Sequence, residues 1–148
     1  MATNPQVPQG SMNRVRCSIV VPGIPTLNIT SSYMSKRFAK LTWDGRIVYQ
    51  DETATGFVNS PEPYIGGEIS VGILRTQPLA IAWVRQFEDT GVLGEVVIHS
   101  DTSAFPARTI DNASIITCDP EAFDGLDATV HVMIRGVYYI NNSLWNLL

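Results

Sequence analysis

Along residues 126–140 every second position, namely Leu126, Ala128, Val130, Val132, Ile134, Gly136, Tyr138 and Ile140, is apolar or glycine. A period of two belongs to a β-strand, whose successive side chains point to opposite faces. The intervening residues, Asp127, Thr129, His131, Met133, Arg135, Val137 and Tyr139, begin polar and end aromatic. The pattern predicts a two-faced antiparallel strand with one dry side. Fully extended at ~3.4 Å per residue it would span about 50 Å, whereas a compact domain of this length is a sphere roughly 40 Å across. Two readings follow. Either the strand projects from its own domain and neighbouring subunits complete its unpaired edge, or Gly136 marks a bulge or bend that folds it back within one sandwich.

The same alternation recurs upstream. Between residues 13 and 21, Val15, Cys17, Ile19 and Val21 oppose Arg14, Arg16 and Ser18, and Pro22-Gly23-Ile24-Pro25 ends this half-buried strand. A second extended segment over 33–43 carries Lys36, Arg37 and Lys40 on a solvated face that suits an intersubunit surface. Asp44-Gly45 is the dipeptide favoured in two-residue hairpin turns, so this segment is expected to pair with a return strand over 46–59. After Ile47, Val48 and Tyr49 that return strand turns polar, and its middle reads either as a loop or as a strand facing a solvent-filled space.

Ser60-Pro61-Glu62-Pro63 interrupts the chain, and Ile65, Gly67, Ile69, Val71 and Ile73 then oppose Gly66, Glu68, Ser70 and Gly72. The small residues and single carboxylate of the second face suit a smooth wall. One helix is expected over about residues 78–90, with Pro78 near its first position and Gly91 just past its end. Leu79, Ala82, Trp83 and Phe87 form its core-facing stripe. Short strands over 95–99 and 109–118 follow, and Asp119-Pro120 and Asp124-Gly125 turn the chain into the long strand.

The ends differ in kind from the middle. Residues 1–11 are rich in Pro, Gln, Asn and Gly and lack the apolar surface that would offset ordering them. They form a flexible arm, either frayed or ordered against the next subunit. After Asn141-Asn142-Ser143 breaks the sheet, the tail of residues 141–148, with Leu144, Trp145, Leu147 and Leu148, is apolar enough to need a docking surface on its own domain or on an adjacent subunit.

The 148 residues fit one domain that buries about two thirds of its unfolded surface. Cys17 and Cys118 sit inside strand patterns as small apolar residues. With no basic region followed by an apolar run at the start, assembly in a reducing cytoplasm is expected. No apolar stretch approaches the roughly 18 residues of a membrane helix. A net charge of −4 argues against a protein that grips phosphates and favours contact with DNA without adhesion.

Candidate chemistry is sparse. His99 and His131 have no second ligand at metal-like spacing, Gly66-Gly67 opens a strand rather than a phosphate loop, and neither cysteine has an identifiable activating base. The expectation is a protein without catalysis, cofactor or metal.

The stretches Asn4-Pro5-Gln6-Val7-Pro8-Gln9-Gly10-Ser11-Met12-Asn13-Arg14, Ser60-Pro61-Glu62-Pro63-Tyr64, Arg135-Gly136 and Asn142-Ser143-Leu144-Trp145 resemble tail tube proteins of contractile-tailed bacteriophages, in order across most of the chain. The resemblance does not extend over residues 36–55 or 95–107. It implies a mainly β fold, an antiparallel β-sandwich or barrel-like tube subunit with one flanking α-helix, six copies of which close into a ring. Rings would stack into a hollow tube in the virion tail, assembled in the host cytoplasm, with tail sheath, baseplate and tail-terminator proteins as partners and DNA passing through the lumen. On that reading Glu68 and Ser70 are the candidate lumen-facing residues, and Arg14, Arg16, Leu144 and Trp145 the candidate intersubunit ones. Competing readings are the tube protein of a secretion or contractile injection system, which shares the physics, and a self-contained β-sandwich binding module, which would need a concave aromatic or polar pocket.

Overall fold

The computed structural model of the chain describes residues 16–102, 105–119, 125–127 and 129–145. Its strands are β1 (Cys17–Val20), β2 (Met34–Asp44), β3 (Val48–Thr53), β4 (Gly56–Pro61), β5 (Tyr64–Leu74), β6 (Val92–Ser100), β7 (Arg108–Cys118) and β8 (Thr129–Tyr139). Helix α1 (Pro78–Asp89) links β5 to β6, and a single turn, α2 (Asn142–Trp145), follows β8. The fold is mainly antiparallel β with one main helix, as the alternation predicts. Among the described residues no helix is long and apolar enough to cross a membrane.

Six strands form one sheet in the order β1-β6-β7-β8-β5-β2, every pair antiparallel. The sheet curls into a nearly closed barrel, bringing the Cys17 thiol of β1 to 3.6 Å from the Met34 sulfur of β2. Register shifts in β2, β6 and β7 supply the curl. Each of these strands holds a residue with positive φ at a shift, Phe38 at 58°, Gly94 at 80° and Asn112 at 52°, the backbone signature of bulges that bend and twist a strand.

The odd-numbered positions of β5 and the even-numbered positions of β8 meet in register inside the barrel, with Ile69 opposite Ile134, Val71 opposite Val132 and Ile73 opposite Val130. All six are essentially inaccessible to solvent. Helix α1 begins with Pro78 in its first turn, and its N-H-deficient ring costs nothing there. The helix seats Trp83, fully buried with Ala80 and Val84, on the end of the barrel where β5 stops. The buried stripe therefore centres on Ala80, Trp83 and Val84, while Phe87, expected on it, is 39% exposed.

Two expectations are corrected. Strand β8 does not project: it is paired along its length by β5 and over most of it by β7. The bulge lies on β7, between Asp111 and Ser114, and Gly136 is the position across from it, where a Cβ would lie 2.5 Å from the Ile110 side chain and 2.6 Å from the Asp111 carbonyl oxygen. Nor does Asp44-Gly45 close a hairpin. Gly45 turns the chain at φ 117°, but β2 pairs with β5, setting Leu41 opposite Ile69 and Trp43 opposite Gly67. The apolar face of β5 offers β2 a continuous core, which the polar return strand lacks. The 46–59 stretch is instead two strands, β3 and β4, that pair with each other through a turn at Ala54-Thr55-Gly56.

Candidate assembly surfaces

The antiparallel registers give the protomer two unlike ends. At one, α1 covers the core. At the other lie the start of β1, the ends of β2 and β8, and the β3–β4 ribbon that leaves from Gly45 and returns at Pro61.

Every residue of β3, and every residue of β4 except Pro61, is exposed. The ribbon carries apolar side chains to water, among them Val48, Tyr49, Phe57 (63% exposed) and Val58. Its internal ties are the ladder, a Gln50 side-chain bond to Asn59 at 3.1 Å and a Thr53 hydroxyl bond to the Gly56 carbonyl at 2.9 Å. Its base is pinned by Asn141, at φ 53°, whose side-chain amide donates to the carbonyls of Ile47 (3.0 Å) and Glu62 (2.7 Å). This places α2 near the base of the ribbon, and Leu144 and Trp145, 52% and 41% exposed, carry apolar side chains to water at the same end as Ile47 and Tyr64. Of the other candidate intersubunit residues, Arg14 lies outside the described residues. Arg16 lies at the same end on the β1 lip of the seam, its backbone N-H donating to the Asp101 carboxylate and its carbonyl accepting from the Asp101 N-H.

The outward face of β2, β5 and β8 holds Glu68 and Ser70, the two candidate lumen residues, in adjacent outward positions. The Glu68 carboxylate does not stand alone on it. Arg135 lies directly opposite Glu68, donates to Asp44 at 2.7 Å and approaches Glu68 at 3.8 Å. The guanidinium crosses closely over Gly66, where a Cβ would sit 3.2 Å from it. With Lys40 and Thr42 alongside, the face is mixed in charge, and Arg135 is paired within it.

Farther along β8, Asp127, Thr129 and His131 form a cluster the sequence reading passed over. The Thr129 hydroxyl and one Asp127 carboxylate oxygen both meet the same His131 nitrogen, Nε2, at 3.0 and 3.2 Å. A proton relay needs two ring nitrogens with different partners, so this arrangement orders a strand end rather than activating the hydroxyl. Hydrogen bonds from the Thr129 hydroxyl and backbone N-H, with His131 adding to them, hold the Asp127 carboxyl below its usual range. Burial pushes both thiols, Cys17 and Cys118, above the usual thiol range. Among the described residues no group of three His, Cys, Asp or Glu side chains could hold a metal.

The third surface is the seam between β1 and β2, where a groove of about 480 Å³ is lined by Cys17, Leu41, Trp43, Ile98, Phe105 and Arg108, among others. Trp43 packs against Tyr138 with ring centroids 4.5 Å apart and planes tilted by 34°, and the Tyr138 hydroxyl accepts a 2.7 Å bond from Arg108. No motif announces this groove, because its residues come from four separate strands and one loop.

No family model matches the chain, and no curated protein matches it. Among solved structures it is similar to the tube-terminating cap of the anti-feeding prophage, determined by cryo-electron microscopy, at 13% identity over 94% of this chain and 95% of that one, with a TM-score of 0.47.

Proposed function

We propose that the chain is a non-catalytic structural subunit of a contractile phage tail tube, six copies closing into a ring and rings stacking into a conduit for the genome. The observation that carries this reading is the β3–β4 ribbon. A two-stranded ribbon is marginal in water by itself, and this one has no face on its own core while exposing Val48, Tyr49, Phe57 and Val58. Burial against a second copy removes that apolar area from water and steadies the ribbon at once.

The protomer is polar end to end, with the ribbon and α2 at one end and α1 at the other. A ribbon docking on a different surface of the next copy makes a head-to-tail contact, which closes into rings or continues as a stack. The β2–β5–β8 face supports the conduit role. DNA adhesion grows with the number of phosphates met by free cations, and here Arg135 is already engaged by Asp44 and Glu68. A wall of this kind lets a polyanion slide. The wording shared with tail tube proteins at both ends of the chain and around Ser60-Pro61-Glu62-Pro63 points to the phage branch of this architecture. The test is negative-stain electron microscopy of the purified protein. Rings or tubes with a central hole are expected, and a strictly monomeric species at high concentration would overturn the reading.

A further inference from the structure

We infer that the acidic part of the β3–β4 ribbon docks on a basic bulge of β2 in a second copy of this chain, an inference that rests on the tube reading for the identity of the occupant. Two stretches of the protomer carry charge of a single sign. From Val48 to Pro61 the charged residues are Asp51 and Glu52, and from Met34 to Trp43 they are Lys36, Arg37 and Lys40. All five are exposed. Among the described residues no ion pair includes any of them.

The fold displays both sets away from its core. On β2 the chain goes from Met34 to Ala39 while β5 beside it goes only from Ile73 to Val71. The surplus forms a bulge, with Phe38 at φ 58°, and Lys36 and Arg37 stand on it. Just beyond, Lys40 lies opposite Ser70. In the ribbon, Asp51 stands opposite Val58 and Glu52 opposite Phe57. Cross-strand partners share a face, so each face of the ribbon presents one carboxylate beside one exposed apolar side chain. Opposite charges arranged in this way set the register of a contact whose affinity comes from apolar burial.

The two sets also lie at opposite ends of the protomer. The bulge is next to Ile73, near the end of β5 that leads into α1, whereas the ribbon leaves from Gly45, beyond the Asp44–Gly66 pair at the other end. Complementary patches at opposite ends of one chain match head to tail between copies. A second copy is the occupant because the same sequence supplies both the opposing charge and the apolar side chains that need cover. Docking also engages cations that would otherwise meet phosphate, in keeping with a conduit that does not hold DNA.

The test is sedimentation of two full-length variants, one carrying Asp51→Lys with Glu52→Lys and the other Lys36→Glu with Arg37→Glu, alone and mixed. Each variant alone sets like charges against each other and is expected to associate about tenfold more weakly than the unmodified protein, with an unchanged circular-dichroism spectrum. An equimolar mixture is expected to recover association, because each ribbon then meets a bulge of opposite sign on the other variant. Recovery on mixing shows at the same time that both variants fold. Association of both variants equal to that of the unmodified protein would overturn this inference and leave the tube reading standing. So would weakened association of two folded variants that mixing does not restore. A loss confined to the bulge variant would overturn it in favour of a different anionic occupant of Lys36 and Arg37. Unmodified protein that stays monomeric at every concentration would overturn the tube reading and this inference with it.

Discussion

The guanidinium of Arg135 on β8 reaches over Gly66 to the carboxylate of Asp44 at the end of β2, with 2.7 Å between nitrogen and oxygen. It ties β8 to β2 across β5, between residues ninety-one positions apart in sequence. Both partners are about half exposed, and an exposed pair of this kind contributes at most about 1 kcal/mol.

Arg135→Ala is therefore expected to lower stability by about 1 kcal/mol or less in urea denaturation. Its larger effect is on the character of the face, which becomes acidic once Asp44 and Glu68 lose their shared cation. Glu68→Lys does the opposite, setting two cations side by side. On the tube reading it leaves assembly intact and hinders DNA passage, and full infectivity of a phage carrying it would take Glu68 off the lumen wall.

The ribbon separates folding from association. Phe57→Ser combined with Val58→Ser changes side chains that touch little of their own core. The protomer's unfolding free energy should change by about 0.5 kcal/mol or less per substitution, as at other surface positions. Sedimentation should show loss of higher-order species. Unchanged association would remove the ribbon from the interface.

Two glycines facing Ile110 make a graded pair. At Gly136 a Cβ meets the Ile110 Cγ2 atom at 2.5 Å, the Asp111 carbonyl oxygen at 2.6 Å and the Ala113 Cα at 3.0 Å, so backbone must move. At Gly67 the close atom is Ile110 Cδ1 at 2.6 Å, the far end of a side chain that can rotate. Gly136→Ala is expected to cost about 1 to 3 kcal/mol and Gly67→Ala clearly less, measured by chemical denaturation. Equal costs would show that the β7 bulge yields freely.

The thiols give a pH dependence. Burial favours the neutral form of Cys17 and Cys118 in the fold, raising both pKa values above the unfolded ones. The corresponding stability is complete below the ordinary thiol range and lost as pH rises through the raised values. At mildly alkaline pH both thiols should alkylate more slowly with iodoacetamide than in the urea-unfolded chain, because the thiolate is the nucleophile. Equal rates would place them in open solvent.

What the sequence determined alone was everything that depends on local periodicity and local backbone chemistry. Alternation located β1, β5 and β8 and separated their faces, a short strand was expected where β7 lies, and Pro78 with Gly91 bracketed α1, because the two-residue and 3.6-residue periods and the loss of a backbone donor act within a few positions. Tertiary structure decided which strands pair. Asp44-Gly45 carries a strong turn signal, yet β2 takes β5 as its partner, since matching Leu41 to Ile69 buries more apolar surface than matching it to the polar β3. The same long-range choice leaves β3 and β4 to each other and exposed. It also carries Arg135 onto Asp44 and assembles the seam from residues scattered between Cys17 and Arg108. Pairing partners are chosen by the area two faces bury together, and that quantity belongs to no single stretch of chain.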